Sequence, residues 1–138
     1  MKHAVDWATS VISVADIDAH GVGHANMHAL RHSVGNLKKS ADYVLVDGFK
    51  IDYGPIPSQR IAHGDAKVMS IAAASIIAKV TRDRMMVDAH TKYPQYHFHK
   101  HKGYGTALHH QALRKHGISP LHRRSYLPIK LIMAKSIR

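Results

Sequence analysis

The 138 residues suffice for one domain with a core of its own and are too few for two. Twenty Lys and Arg against nine acids leave a formal net charge of +11 with His neutral, which favours polyanionic partners such as nucleic acid. The absence of Cys excludes disulfides and zinc–thiolate sites, and no apolar run is long enough to span a bilayer.

The stretch Ala4 to Val14, AVDWATSVISV, is rich in β-branched residues around Trp7 and is predicted to be a strand. A helix follows, with Asp16 as its cap, a moderately amphipathic run through Ala25, His28, Ala29, His32 and Val34, and a break at Gly21 and Gly23. After a polar link, Tyr43, Val44, Leu45 and Val46 form a continuous apolar run ended by Asp47 and Gly48. Such a run fits a strand buried on both faces of a parallel sheet. DYGPIPS, with one Gly and two Pro, is a loop, and Gln59 to Ala62 a brief edge strand. Gly64-Asp65 leads into a long central helix that stops by Tyr93, because Pro94 disfavours helical geometry in the residue before it. Gln95 to Thr106 is aromatic and basic; a helix from about Thr106 is closed by Gly117. The basic last segment is expected to pack through Leu121, Leu127, Ile129 and Ile132.

Two carboxylates stand out. On the central helix Ile76, Val80 and Val87 share an apolar stripe expected to face a core, and Asp83 lies on it. A carboxylate there needs a partner, either Lys79 one turn earlier or a bound cation, while Arg82 and Arg84 are expected to turn outward. Asp47 ends its strand, and in open α/β sheets the chemistry gathers at the carboxyl ends of strands. All nine acids are Asp, so a mechanism that needs Glu must obtain it from another chain.

Eight of the fourteen histidines fall between His90 and His122. Their spacings match no recognised zinc frame. The preferred use is a surface that gains positive charge as pH falls toward 6 and holds phosphates more tightly.

VLVDG, GDAKVMSIAAASIIAKVTRDRMM, YP, HKGYGT and HRRSY, in this order, resemble ribonuclease HII, the type 2 ribonuclease H, over about Trp7 to Pro128. The resemblance implies an α/β, RNase H-like fold, a mixed sheet flanked by helices with a basic helical C-terminal segment. It also implies cleavage of RNA strands in RNA/DNA hybrids and of ribonucleotides embedded in DNA. The family holds two divalent ions with four carboxylates, of which Asp47 and Asp83 map here as catalytic metal ligands for Mg²⁺ or Mn²⁺. Two ions roughly 4 Å apart activate a water and stabilise the leaving oxygen. Tyr104 matches the tyrosine that packs on the sugar at the ribonucleotide–deoxynucleotide junction, and Lys100, Lys102, Arg123 and Arg124 are expected to contact phosphates.

The family's opening strand with an Asp-Glu pair, its Gly-Arg-Gly loop, its second strand and its Asp-Ser-Lys segment have no counterpart here. The expectation is therefore an N-terminally truncated sheet, residues 1–94 forming a partial core and 95–138 a basic substrate-binding segment of the same domain. One ion at most is well held, activity is impaired, and the gap is left open or closed by a second chain or by rearranged pairing. A non-catalytic nucleic-acid-binding remnant is the alternative, and a His-rich metal-sequestering protein a third reading. A cysteine-free chain of this class is placed in the cytoplasm.

Overall fold

The computed structural model describes residues 4–135. They fall into two compact units, one within Met1–Ser13 and His20–Ala78, the other within Val14–Ala19 and Lys79–Arg138. Among the described residues no helix is long and apolar enough to cross a membrane.

In the first unit the predicted strand around Trp7 is not formed: residues 4–13 carry no strand. The segment is tied down by side chains instead, because the Asp6 carboxylate accepts from the amides of Trp7, Lys38 and Lys39, and Asn36 donates to the Thr9 carbonyl. Val5, Trp7 and Val11 stay exposed, so the β-branched content had no ladder to join. Helix α1, Val14–Gly35, follows; Asp16 lies inside its first turn rather than at its cap, and the expected break falls at Gly21, whose φ of 82° is non-helical.

Strand β1, Val44–Asp47, pairs in parallel with β2, Ser58–Ile61, Val46 opposite Arg60 and Asp47 opposite Ile61. These are the two strands among the described residues. β1 is not buried on both faces: Val46 is buried, whereas Tyr43, Leu45 and Asp47 are exposed, as a two-stranded sheet cannot cover both sides. The connection between them holds no helix. It turns on Gly48 and Gly54, with φ of 72° and 67°, and is pinned where Ser58 donates to the Ile51 carbonyl and Arg31 to that of Asp52.

A four-residue helix α2, Gly64–Lys67, precedes α3, Met69–Lys92, and the extended Val68 separates them where one helix was expected. The apolar stripe of α3 does not face a core. Ile76, Val80 and Val87 are 63%, 41% and 43% exposed, and α3 buries Ile71 and packs Met86 and Ala89 instead.

In the second unit the core gathers Tyr96, Phe98, Ala112, Leu113 and Ile129, with Met86, Ala89, Tyr93, Ile118, Ile132 and Met133 against it. Pro94 ends α3 as expected, a 3₁₀ turn carries Tyr96, and α4, Phe98–His101, delivers Phe98. Helix α5, Ala107–His116, starts with the Thr106 hydroxyl accepting from the His109 amide and ends at Gly117, φ 73°. Helix α6, Leu127–Lys135, packs through Ile129 and Ile132, but Leu121 and Leu127 remain exposed.

Candidate active site

Asp47 is held at the end of β1 by the chain that follows it. Its Oδ1 accepts from the Gly64 amide at 2.8 Å, so the carboxylate satisfies the first turn of α2, where His63 gives no side-chain cap. Gly64 is buried, and a Cβ there would meet Ile71 Cδ1 at 2.6 Å and Asp47 Oδ1 at 3.5 Å. The glycine is thus what lets the Ile71 side chain pack against this turn, while the 3.5 Å approach to the carboxylate is an ordinary contact.

Asp83 sits half-buried on α3. Its Oδ2 accepts from Lys79 Nζ at 2.6 Å, the i, i+4 pair open in the sequence, and that bond, helped by the Lys79, Arg82 and Lys102 charges, holds its carboxyl below the usual range. Oδ1 is buried with no hydrogen-bond partner, Arg82 Nη1 standing 3.6 Å away. A buried carboxylate oxygen without a hydrogen bond is costly, and the Arg82 charge at that distance offsets only part of the cost.

Arg82 and Arg84 are both exposed, as expected, and Arg82 also reaches an aromatic neighbour. Its guanidinium lies 4.7 Å from the centroid of the Tyr104 ring. Tyr104 itself is 55% exposed, and its carbonyl accepts from His109 Nδ1 at 3.0 Å and from the Thr106 amide at 2.8 Å. Gly103, φ 81°, makes the turn beneath it, and a Cβ there would meet Met86 Cε at 3.3 Å and Arg82 Nη2 at 3.5 Å.

The cations divide. Lys100 is exposed. Lys102 is not free to swing: it adopts left-handed geometry, φ 51°, and its ammonium donates to the His99 carbonyl. Arg123 stands over the Tyr126 ring at 5.5 Å, and the Arg124 amide donates to Asp18 of α1 at 2.9 Å, as does that of Ser125 at 2.8 Å. Asp18, lowered in pKa first by the Ser125 hydroxyl, is therefore the anchor of the Arg123–Arg124 loop, a role its sequence position did not suggest.

Three residues of the histidine tract lie in the interior and not on its expected titrating surface. His101, His109 and His122 are buried, and burial lowers each, His122 to about 4. Among the described residues no group of three or more His, Cys, Asp or Glu is placed to hold one metal ion. A concavity of about 710 Å³ lined by Arg31, Lys50, Asp52 and Arg60 includes none of the expected site residues.

The fold resembles the crystal structure of the ribonuclease H2 from Pyrococcus horikoshii OT3, with a TM-score of 0.79 over 97% of this chain and 71% of that one. At 21% identity this establishes a shared RNase H2-type α/β fold. Sequence establishes the family: the profile described as Ribonuclease HII matches residues 2–128. The chain is 50% identical to the ribonuclease HII of Corynebacterium efficiens over 125 residues, 91% of this chain and 54% of that protein. It is 45% identical to that of Dehalococcoides mccartyi over 127 residues, 92% of this chain and 60% of that protein. This chain belongs to the ribonuclease HII family, and it spans little more than half the length of these two relatives.

Proposed function

We propose that the chain acts on RNA/DNA hybrids and on ribonucleotides embedded in DNA as an endoribonuclease of the ribonuclease HII type, using Mg²⁺ or Mn²⁺. Asp83 carries the reading: one of its carboxylate oxygens is buried with no hydrogen-bond partner, on the helix that bears the family's VTRDR motif, and an oxygen donor of that kind suits a divalent cation. Asp47, exposed at its strand end, is the second ligand. All-oxygen donors suit Mg²⁺ and Mn²⁺, and bound ions of this kind supply an activated water and stabilise the leaving oxygen.

The chain's own residues bind and orient. Tyr104, braced from one side by Arg82, offers a ring face to the sugar at the junction. Lys100, Arg123 and Arg124 hold phosphates, and Lys102 adds charge from a fixed position. Residues 95–138 thus serve as the substrate-binding segment. The cysteine-free composition fits a reducing compartment, and we place the protein in the cytoplasm.

Binding without cleavage is the second reading, favoured by the donor count: the sequence holds no Glu, and two carboxylates stand where the resemblance implies four. Cleavage of a duplex bearing one ribonucleotide separates the two. The chain alone is expected to show little turnover, since losing one preorganised group commonly costs a factor of ~100 to ~1000. A separate polypeptide bearing the family's Asp-Glu strand should restore turnover, and Asp83→Asn should abolish it again. No cleavage after complementation would leave the binding reading standing.

A further inference from the structure

Helix α1 carries a feature that the nuclease reading does not use. His20, His24, His28 and His32 recur every four residues, so they stand one above another on one face. Their ring centroids are 5.0, 4.3 and 5.3 Å apart in turn. We propose that this ladder is a chelating site for a borderline divalent transition-metal cation of the Zn²⁺ or Ni²⁺ type, centred on the His24–His28 pair.

The geometry is that of a helical clamp. Two imidazole nitrogens bound to one ion at about 2.0–2.1 Å stand about 3.3 Å apart, and rings 4.3 Å apart reach that spacing by side-chain rotation alone. Two histidines at i, i+4 are the same arrangement that presents zinc ligands on one helix face in metalloprotease motifs. Access is open, because His20, His24 and His32 are exposed and His28 is half-buried.

Imidazole selects this class of cation and not Mg²⁺, which prefers oxygen, so the site is independent of the one proposed at Asp47 and Asp83. With two protein ligands per ion and water at the other positions, it is an open site rather than a closed structural one, consistent with the lack of any three-ligand group among the described residues. The competing cluster is His90, His97 and His99, where the His90 and His99 rings lie 3.8 Å apart. There both rings are half-buried and their Nδ1 atoms have no hydrogen-bond partner, so this cluster is the rival that the titration must separate from α1.

Isothermal titration of the full chain with ZnCl₂ and with NiCl₂, after chelator treatment, tests the assignment against His24→Gln/His28→Gln and His90→Gln/His99→Gln double variants, each checked for helix content by circular dichroism. The expected result is saturable binding by the parent chain, loss of it in His24→Gln/His28→Gln, and retention in His90→Gln/His99→Gln. Thermal unfolding should move upward with metal in the parent and not in the first variant, since the ion binds the folded helix. No binding by the parent chain, or binding that survives loss of His24 and His28, overturns the proposal.

Discussion

His109 and His122 meet Nε2 to Nε2 at 3.0 Å, so a single proton serves both rings. The Ser119 amide donates to His122 Nδ1 at 2.9 Å, which makes that nitrogen an acceptor and leaves the His122 proton on Nε2, directed at His109. His109 in turn carries its proton on Nδ1 and donates it to the Tyr104 carbonyl at 3.0 Å. The chain of donors is complete only when both rings are neutral, and through it the Ser119 backbone sets the position of Tyr104.

The second unit should therefore lose stability in mild acid. Burial first, then the His109 and His101 charges, hold His122 down to about 4, against about 6.5 when unfolded. Between these values the unfolded chain binds a proton that the folded chain refuses, so stability is complete above pH ~6.5 and declines as pH falls toward 4. His101 and His109 are lowered too and act in the same sense. Urea midpoints measured from pH 8 to 4.5 should drop across this window, and much less so in His122→Gln; a flat profile in the parent chain would contradict the neutral relay.

Lys79 occupies the partner position of Asp83 that an ion would contest. Replacing it by Met removes the largest cause of the lowered Asp83 pKa, so the carboxyl should titrate at higher pH in Lys79→Met. Carboxyl ¹³C shifts report this directly. Weak Mn²⁺ binding, read from paramagnetic broadening around α3, should persist in Lys79→Met and vanish in Asp83→Asn; broadening untouched by Asp83→Asn would remove Asp83 from the metal site.

Tyr104→Ala should weaken the preference for a ribonucleotide junction over all-DNA duplex more than it weakens binding overall, because packing on a sugar carries little of the charge-driven affinity. Arg82→Ala should reproduce part of this loss, since a guanidinium over an exposed ring contributes about 0.5–1 kcal/mol to its placement. Fluorescence anisotropy with matched duplexes measures both. Equal losses on the two duplexes would count against a junction-reading role.

Hybrid binding should fall steeply with salt. Each phosphate neutralised contributes about 0.9 to the log–log slope on B-form DNA, and Lys100, Arg123 and Arg124 together should account for a decrease of about 2–3 when all are replaced by Ala. A slope near zero in the parent chain would exclude an electrostatic interface.

The helices were more legible than their faces. Pro94, Thr106 and Gly117 mark helix ends through local chemistry, and the structure places ends at or next to each of them. The Trp7 stretch misled because β-branched content signals a strand only when a ladder partner exists, which is a property of the whole fold. Likewise, Ile76, Val80 and Val87 share a wheel position, yet which side of α3 is covered depends on Phe98 and Ile129, far along the chain. The Lys79–Asp83 pair could be read from its spacing of four. The Arg82–Tyr104 contact and the His109–His122 pair could not, since each joins separate elements.

Along β1, buried Val46 and exposed Asp47 alternate, while parallel pairing locks them opposite Arg60 and Ile61. Slipping the pairing by one residue would exchange the two sides, sending the carboxylate inward and the valine into water. The loop from Gly48 to Pro57 therefore acts as a ruler: away from Gly48 and Gly54, which need positive φ, and buried Ile51, its composition is free to drift, but a single inserted or deleted residue that propagates into the ladder would misaddress Asp47 without altering any ligand. Indel scanning of this loop should reveal a tolerance for substitution outside those three positions and an intolerance of length change that a substitution-only survey would miss.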